Sequence, residues 1–222
     1  MRSDFLASKQ ISSQEIDQPI QNAQSVNVVL KPAVAALNVQ SFNGNQVLIQ
    51  GTIRHAQGEQ FLSNYQVSGS EGTYTLESKG NFVAYPPVSS SRWSWDLKIN
   101  SQVPIDLQTA LAVGDVSLDL RGLKVTSLDS SMAVGRITIY LPSGTSFTGK
   151  ISGAVGETVI ILPKDVGLHV RADTALAVFN GPADFNNLGH DHTSPNYNSA
   201  ANKVDLTIGQ AIGIVTVKYS GE

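Results

Sequence analysis

Short apolar runs separated by turn residues recur from residue 25 to the end of the chain, and most of them alternate apolar with polar side chains. Alternation at period two, with many β-branched and aromatic residues, is typical of strands that bury one face. The runs before residue 112 are VNVVL (26–30), AVAALNV (33–39), QVLIQGTI (46–53), YQVSG (65–69), GTYTLES (72–78), RWSWDLKI (92–99) and VPIDLQTAL (103–111). No long window keeps the helical period of 3.6 residues. The pattern therefore predicts an all-β chain with very little helix.

The second half of the chain contains a repeat of constant period, visible in alanines at 112, 133 and 154 and glycines at 114, 135 and 156. Three segments align without gaps, namely LAVGDVSLDL (111–120), MAVGRITIYL (132–141) and GAVGETVIIL (153–162). We align an imperfect fourth copy, LAVFNGPADF (176–185), by its letters, which sets Ala177 at the position of Ala154. A fifth copy, QAIGIVTVKY (210–219), follows an insertion at 181–202.

A repeat of this length predicts a β-solenoid with coils of about 21 residues, since it holds two strands of five or six residues and two turns. In the first coil we expect strands at Val116–Leu120 and Leu123–Leu128, joined at Arg121-Gly122. The glycine suits a corner, and the alanine beside it suits a tight bend packed inward. Stacking predicts three inward columns, Val116/Ile137/Thr158, Leu118/Ile139/Ile160 and Leu120/Leu141/Leu162, and one outward charged column, Asp115/Arg136/Glu157.

The same pattern divides the chain into two parts. Residues 1–24 are rich in Ser and Gln without clear periodicity, so we interpret them as a tail or linker. Residues 25–222 are predicted to form a single β domain, with irregular strands at 25–108 and repeat coils at 109–222. We expect the irregular strands to cap one end of the solenoid and the insertion to lie over a side or the other end.

Composition excludes several classes of function. The net charge is −3 and no basic stripe is present, which argues against nucleic acid and against polybasic attachment to anionic lipid. Cysteine is absent, which excludes disulfides, thiolate metal sites and cysteine nucleophiles. The sequence shows neither a membrane-spanning stretch nor the apolar region of a signal peptide. We expect any membrane tether to be encoded outside this chain.

One histidine motif carries candidate metal chemistry. Gly189-His190-Asp191-His192 lies in the insertion, and His169 and His55 could add a further imidazole. Imidazole and carboxylate oxygen both bind zinc. Because Gly, Asn and Pro flank the motif on both sides, we favour a polar loop and predict no metal site.

Candidate catalytic and sugar-binding groups are also weak. Asp96, Asp115 and Asp119 could supply the carboxylate pair of a glycosidase, but an ion-pair ladder explains the outward column better. Trp93, Trp95 and Tyr85 could stack on sugar rings; the first two alternate with Leu97 and Ile99, which favours burial. No G-x-S-x-G elbow accompanies the many serines. We therefore predict no catalytic residue and no cofactor.

The repeat motif [LM]-A-V-G-x-[VI]-x-[LIV]-x-L, with its Asp-Leu-Arg-Gly-Leu and Leu-Pro turns, resembles the toast-rack domain of the cell wall-active antibiotics response family, which includes LiaF-type proteins. The segment 194–200, leading into Val204–Ile208, is similar to the Tyr- and Asn-rich segment before the last strand of that family. The resemblance implies a domain often attached to membrane helices. Some members restrain a sensor kinase, and others carry only an adhesin label. It implies no catalytic residues.

The sequence thus favours a non-catalytic interaction or sensory domain of the cell envelope, whose partner is another envelope or membrane protein. One alternative is a β-helix that binds or cleaves carbohydrate. Another is a structural or adhesive domain that assembles end to end through the unpaired edges of the solenoid.

Overall fold

The computed structural model describes residues 11–44, 46–56, 58–79 and 93–221, and these ranges contain strands and turns but no helix. The prediction of an all-β chain is confirmed. The strands are β1 Ile11–Pro19, β2 Ser25–Lys31, β3 Val34–Phe42, β4 Val47–Ala56, β5 Gln60–Ser68, β6 Glu71–Lys79, β7 Ser94–Asn100, β8 Pro104–Asp119, β9 Lys124–Tyr140, β10 Phe147–Leu162, β11 Val166–Asn180, β12 Asn186–Leu188, β13 Asp191–Thr193 and β14 Asn202–Tyr219.

The repeat strands stack in parallel and in register. Neighbours along the main path run β1-β4-β7-β3-β8-β9-β10-β14-β11-β13-β12, and β2 joins β8 to a second branch that holds β6 and β5. At β8 the two branches separate, because residues 105–109 pair with β2 whereas residues 113–118 pair with β3. The first and second halves of each repeat strand therefore continue into different arms of the sheet.

Each repeat strand must reverse direction near its middle. Lys124, the first residue of β9, pairs with Pro104, the first residue of β8. A straight strand as long as β8 would span roughly 50 Å, whereas residues 120–123 bridge only about 18 Å. The burial pattern places the reversal, since Leu111 and Val116 face the core while Ala112 and Val113 between them both face outward. The two halves thus form two layers with the core between them.

A column of glycines makes the reversal possible. Gly114, Gly135, Gly156 and Gly213 have φ values of 145°, 141°, 147° and 139°, which side-chain-bearing residues rarely adopt. A Cβ built at Gly135 would overlap the carbonyl oxygen of Gly114, and one at Gly156 would overlap that of Gly135. The alanine before each glycine points outward, so the expectation that it packs inward is wrong.

Apart from Leu120 and Leu123, the predicted strands Val116–Leu120 and Leu123–Leu128 are parts of longer strands, the first in the second half of β8 and the second in the first half of β9. Pairing between β8 and β9 omits only Ala112 and Ala133 at the bend, so each of these strands continues through its bend over 16 or 17 residues. The predicted turn at Arg121-Gly122 is present. The three inward columns are present as well, with every member buried.

The spatial order of the copies differs from their order in the sequence. β14, the fifth copy, lies between β10 and β11 and pairs with both in parallel. Gly213 faces Gly156 on one side and Ala177 on the other, so Ala177 holds the glycine position of the fourth copy. The step from Gly156 to Ala177 therefore keeps the period of the first three copies, and the alignment of Ala177 with Ala154 predicted from the letters LAV is wrong.

The predicted tail contains a strand. Residues 11–19 form β1, which pairs antiparallel with β4 and buries Ile16, while residues 1–10 lie outside the described part of the chain. An edge strand needs few apolar positions because most of its side chains face solvent, and this explains why a Ser- and Gln-rich composition hid it. Among the described residues, buried apolar side chains form one cluster that reaches from Ile16 to Val217.

We expect Gly135→Ala to lower the free energy of unfolding by about 2–4 kcal/mol, since the added methyl group meets the backbone of the neighbouring strand at an unfavourable φ. Gly209→Ala is the matched control, because Gly209 also lies in a repeat strand and its Cβ would have open space around it. Urea denaturation curves of the two variants measure the difference. Equal losses for both variants would contradict the role given to the glycine column.

Candidate interaction surface

The bend exposes one aliphatic side chain from each stacked strand. Val113, Val134, Val155 and Ile212 are 46%, 46%, 45% and 48% exposed and pair in register across β8, β9, β10 and β14. We call these four residues the bend ridge. Neighbouring strands lie about 4.8 Å apart, so the ridge is a regular row about 14 Å long.

The ridge follows from the geometry of the bend. Side chains alternate between core and solvent along a strand, and the reversal shifts this alternation by one residue. As a result two consecutive residues, the alanine and the following aliphatic residue, both face solvent. In the sequence, the ridge corresponds to the pair Ala-Val or Ala-Ile before each glycine. The expectation that the alanine packs inward does not predict the ridge.

A shallow groove of about 570 Å³ lies beside the ridge. Most of its lining residues are small, and none carries a charge. They are Pro32, Ala33, Ala110, Leu111, Ala112, Ser131, Met132, Ala133, Ser152, Gly153, Ala154 and Ala211. The groove crosses the strands, so each of the first three repeats contributes the same three positions to it. Ridge and groove together form an apolar surface with a repeating shape.

A charged column borders this surface on the second half of the strands. Asp115 pairs in register with Arg136, and Arg136 Nε donates to Glu157 Oε2 at 2.8 Å. The predicted outward column is therefore present, with its ion pair exposed. On β14 and β11 the same positions hold Ile214 and Val178, so the charged border ends before the last two strands of the stack.

The histidine motif of the insertion contributes to a polar cluster at the far end of the stack. His169 on β11 lies between two carboxylates, with Nε2 3.1 Å from Asp191 Oδ1 and Nδ1 3.2 Å from Asp205 Oδ1. Tyr197 donates its hydroxyl to Asp205 at 2.7 Å, and this hydrogen bond to a carboxylate raises the pKa of the tyrosine. The cluster ties the insertion to β11 and β14.

The two histidines of the motif itself, His190 and His192, contact different partners. His190 Nδ1 lies 3.0 Å from the carbonyl oxygen of Ala172. His192 is buried, stacks on Phe179 with ring centroids 3.6 Å apart, and has Nδ1 2.7 Å from Asn187 Oδ1. Burial lowers the pKa of His192.

A metal site is not assembled from these groups. The described ranges hold no group of three or more His, Asp or Glu residues placed to bind an ion. His55, the remaining candidate, lies on β4 with its ring edge-on to Phe61. The structure therefore brings His169 and Asp191 into contact between strands and places His55 in the N-terminal part of the fold.

The candidate catalytic carboxylates have partners within the chain. Asp96 accepts hydrogen bonds from Arg54, Ser94 and Asn38, the shortest at 2.7 Å. Asp119 accepts from Arg121 at 2.6 Å, and this contact lowers the pKa of its carboxyl group. Asp96 thus links β7 to β3 and β4, whereas Asp119 bonds within the turn that follows β8.

The two tryptophans among the candidate sugar-stacking aromatics are not on the surface. Trp93 and Trp95 are 8% and 1% exposed, which confirms the predicted burial of that face, and Tyr85 lies outside the described residues. The tryptophans therefore form part of the core.

Comparison with known families decides the assignment of the chain. The sequence model of the N-terminal domain of toast_rack, DUF2154, matches residues 7–161. The chain belongs to this toast-rack family. The match covers more than half of the chain and extends through the first two repeat segments and nearly all of the third.

A solved structure shows the same fold. A candidate cell adhesion protein from Clostridium sporogenes is similar with a TM-score of 0.86 at 20% identity, over 95% of this chain and 100% of the other. A candidate adhesin from Bacteroides fragilis aligns with a TM-score of only 0.33 at 10% identity, over 95% and 98% of the two chains. No protein with a curated description matches the sequence. Within the described ranges, no helix is long and apolar enough to cross a membrane.

We expect the protein to lose stability on acidification partly through His192. Burial lowers the pKa of His192 in the folded protein, so the unfolded chain takes up the proton first as the pH falls below about 6.5. The free energy of unfolding should therefore drop between pH 7 and pH 5, and less in His192→Phe, which keeps a ring against Phe179 but does not titrate. Denaturation at several pH values measures both slopes. Identical slopes would exclude a contribution of His192.

Proposed function

We propose that this toast-rack domain is a non-catalytic interaction module of the cell envelope that binds an apolar segment of another envelope protein along the bend ridge and its groove. The exposed aliphatic row is the observation that supports this proposal most directly. Solvent-exposed apolar side chains in a contiguous row are typical of surfaces that bind a protein partner.

The chemistry of the surface favours a protein partner over other classes. The groove lining is uncharged, so it offers nothing to a phosphate backbone. A sugar would need aromatic platforms and polar groups, whereas the two tryptophans are buried. An apolar peptide face, by contrast, can bury the methyl groups of Val113, Val134 and Val155 and fill the space above the small residues.

The regular shape of the surface comes from the stacking. In the same proposal we take each repeat with its glycine bend as one coil of a β-solenoid. Each of the first three repeats reverses once at its glycine and once at the turn that follows. The coils then present a row of equivalent positions. A partner that repeats its own side chains at a similar spacing could contact several coils at once.

A non-catalytic role fits the state of the polar residues. Asp96, Asp119, Asp205 and His169 each contact a partner side chain within the fold. A role at the cell surface agrees with the similarity to the candidate cell adhesion protein. The proposal also includes two expectations from the sequence. One is a membrane tether encoded outside this chain, and the other is a sensor kinase as a regulated partner.

We expect cross-linking through the ridge to capture a protein partner. A photoreactive amino acid in place of Val134 should give a discrete protein adduct on irradiation of cells that produce the domain. The same residue in place of Thr207, which is exposed on the first-half layer of β14, is the matched control and should not give that adduct. Val155→Asp should abolish the adduct formed at position 134.

Three results would contradict the proposal. One is an equal yield of adducts from positions 134 and 207. Another is an adduct at position 134 that survives Val155→Asp. The third is retention of the domain by purified cell-wall polysaccharide that the ridge substitution does not change, which would favour carbohydrate recognition instead.

A further inference from the structure

The stack of repeat strands has an open edge on β11. Before the bend, β11 pairs with β14 on one side and, through residues 169–171, with β13 on the other. After the bend, residues 174–180 pair with β14, and this is their one strand partner within the described part of the chain. The second layer of the sheet therefore ends on this segment.

Backbone groups of the open edge point away from the stack. In the second half of each repeat, the backbone N–H groups of inward-facing residues donate to the next strand of the stack. Leu120 N–H donates to the carbonyl oxygen of Tyr140, and Leu141 N–H to that of Ile161, both at 3.0 Å. Ala177 and Phe179 occupy inward positions of the last strand in the stack. Because the direction of the backbone groups alternates along a strand, their N–H and C=O groups face the open edge.

The open edge lacks the features by which proteins usually protect a terminal strand. Residues 174–180 read Thr-Ala-Leu-Ala-Val-Phe-Asn and contain no charged residue and no proline. Edge strands that avoid pairing commonly carry charges, proline or a bulge. β1, the edge strand at the other end of the same layer, carries Glu15 and Asp17 and ends in Pro19.

Apolar side chains also accumulate on the outward face here. Leu176 and Val178 on β11 are 77% and 59% exposed, and Val178 pairs with the exposed Ile214 on β14. We call Leu176, Val178 and Ile214 the open-end patch; Leu176 pairs in register with Ile212, so the patch adjoins the end of the bend ridge. In the first three repeats the column that holds Val178 and Ile214 consists of charged residues, so the apolar character of this column is confined to the end of the stack.

We propose that two copies of this chain pair through the open edge of β11, antiparallel over residues 174–180, around a twofold axis at Ala177. In this arrangement Leu176 lies opposite Val178 of the partner subunit, and Val178 lies opposite the partner subunit's Leu176. The two open-end patches then join into one apolar area on a continuous sheet.

A second copy fits this edge for three reasons. The segment is uncharged, so an identical strand meets no repulsion along its length. Ala177 is the midpoint of the segment, which gives full overlap, and its outward-directed N–H and C=O groups can bond to the same groups of the partner. A twofold interface closes on itself, whereas head-to-tail pairing with β1 would place an apolar edge against the charges of Glu15 and Asp17.

Sedimentation velocity of the full chain tests the proposal, and we expect a concentration-dependent dimer. Leu176→Lys with Val178→Lys should be monomeric, since each lysine then faces a lysine of the other copy. Leu176→Lys with Val178→Glu should still dimerise, because each lysine faces a glutamate. Both variants replace the same two exposed residues, so their folding is matched, and circular dichroism checks it.

A cysteine variant tests the position of the axis independently. The chain contains no cysteine, so Ala177→Cys introduces one thiol. In a hydrogen-bonded antiparallel pair the two Cα atoms lie about 5.5 Å apart, within the range of a disulfide. We expect covalent dimers on mild oxidation, and none from Thr207→Cys on the exposed first-half face of β14.

Each alternative result would overturn the proposal. A wild-type chain that stays monomeric at all concentrations would exclude self-association, and the edge would then serve a strand of another protein. Filaments or higher oligomers would exclude a closed pair. Equal behaviour of the two charge variants would exclude this register, whether both are dimers or both are monomers.

Discussion

The fold depends on a backbone contact between successive repeats, in which the carbonyl oxygen at one bend occupies the space that a side chain would need at the next. This contact allows each strand to reverse within three residues while its neighbour stays about 4.8 Å away. Gly114, Gly135, Gly156 and Gly213 meet the requirement in turn. The strand to either side of the bend can then keep its hydrogen bonds and its alternation.

The same contact produces the surface to which we assign a function. Because the reversal shifts the alternation by one residue, every repeat must place an additional side chain in solvent. The bend that brings the two layers together around the core therefore also exposes the ridge. An apolar residue at that position is a feature of this sequence, since Val113, Val134, Val155 and Ile212 could all be polar without disturbing the core.

Much of this architecture can be predicted from the sequence. The period of the repeat, the inward columns and the turn at Arg121-Gly122 follow from the spacing of apolar residues and glycines. The spatial order of the last two copies does not follow from the sequence. A parallel stack accepts either copy next to β10, and the apolar pattern of both copies matches that of β10. The register of the fourth copy does not follow either: Ala175 and Ala177 are both alanines, and without the glycine the pattern allows two alignments. The strand at 11–19 was missed because an edge strand carries little apolar signal.

The candidate surface was harder to predict than the fold. Exposure of Val134 depends on two consecutive residues facing the same side, which contradicts simple alternation and becomes visible only when the bend is known. The polar cluster of His169, Asp191 and Asp205 depends on the placement of β14, which brings Asp205 beside His169. Long-range pairing of this kind leaves no local signal in a single sequence.

The position of β14 has a consequence for how the protein is made. β14 is synthesised after β11 and the insertion, yet it lies in the interior of the stack with a long strand on each side. β11 therefore has no long neighbour while the ribosome is still translating the segment before residue 202. The native order of the stack can be completed only once β14 has been synthesised and lies between β10 and β11. Because β14 lies between β10 and β11, the strands of this stack cannot reach their native order strictly in the order of synthesis.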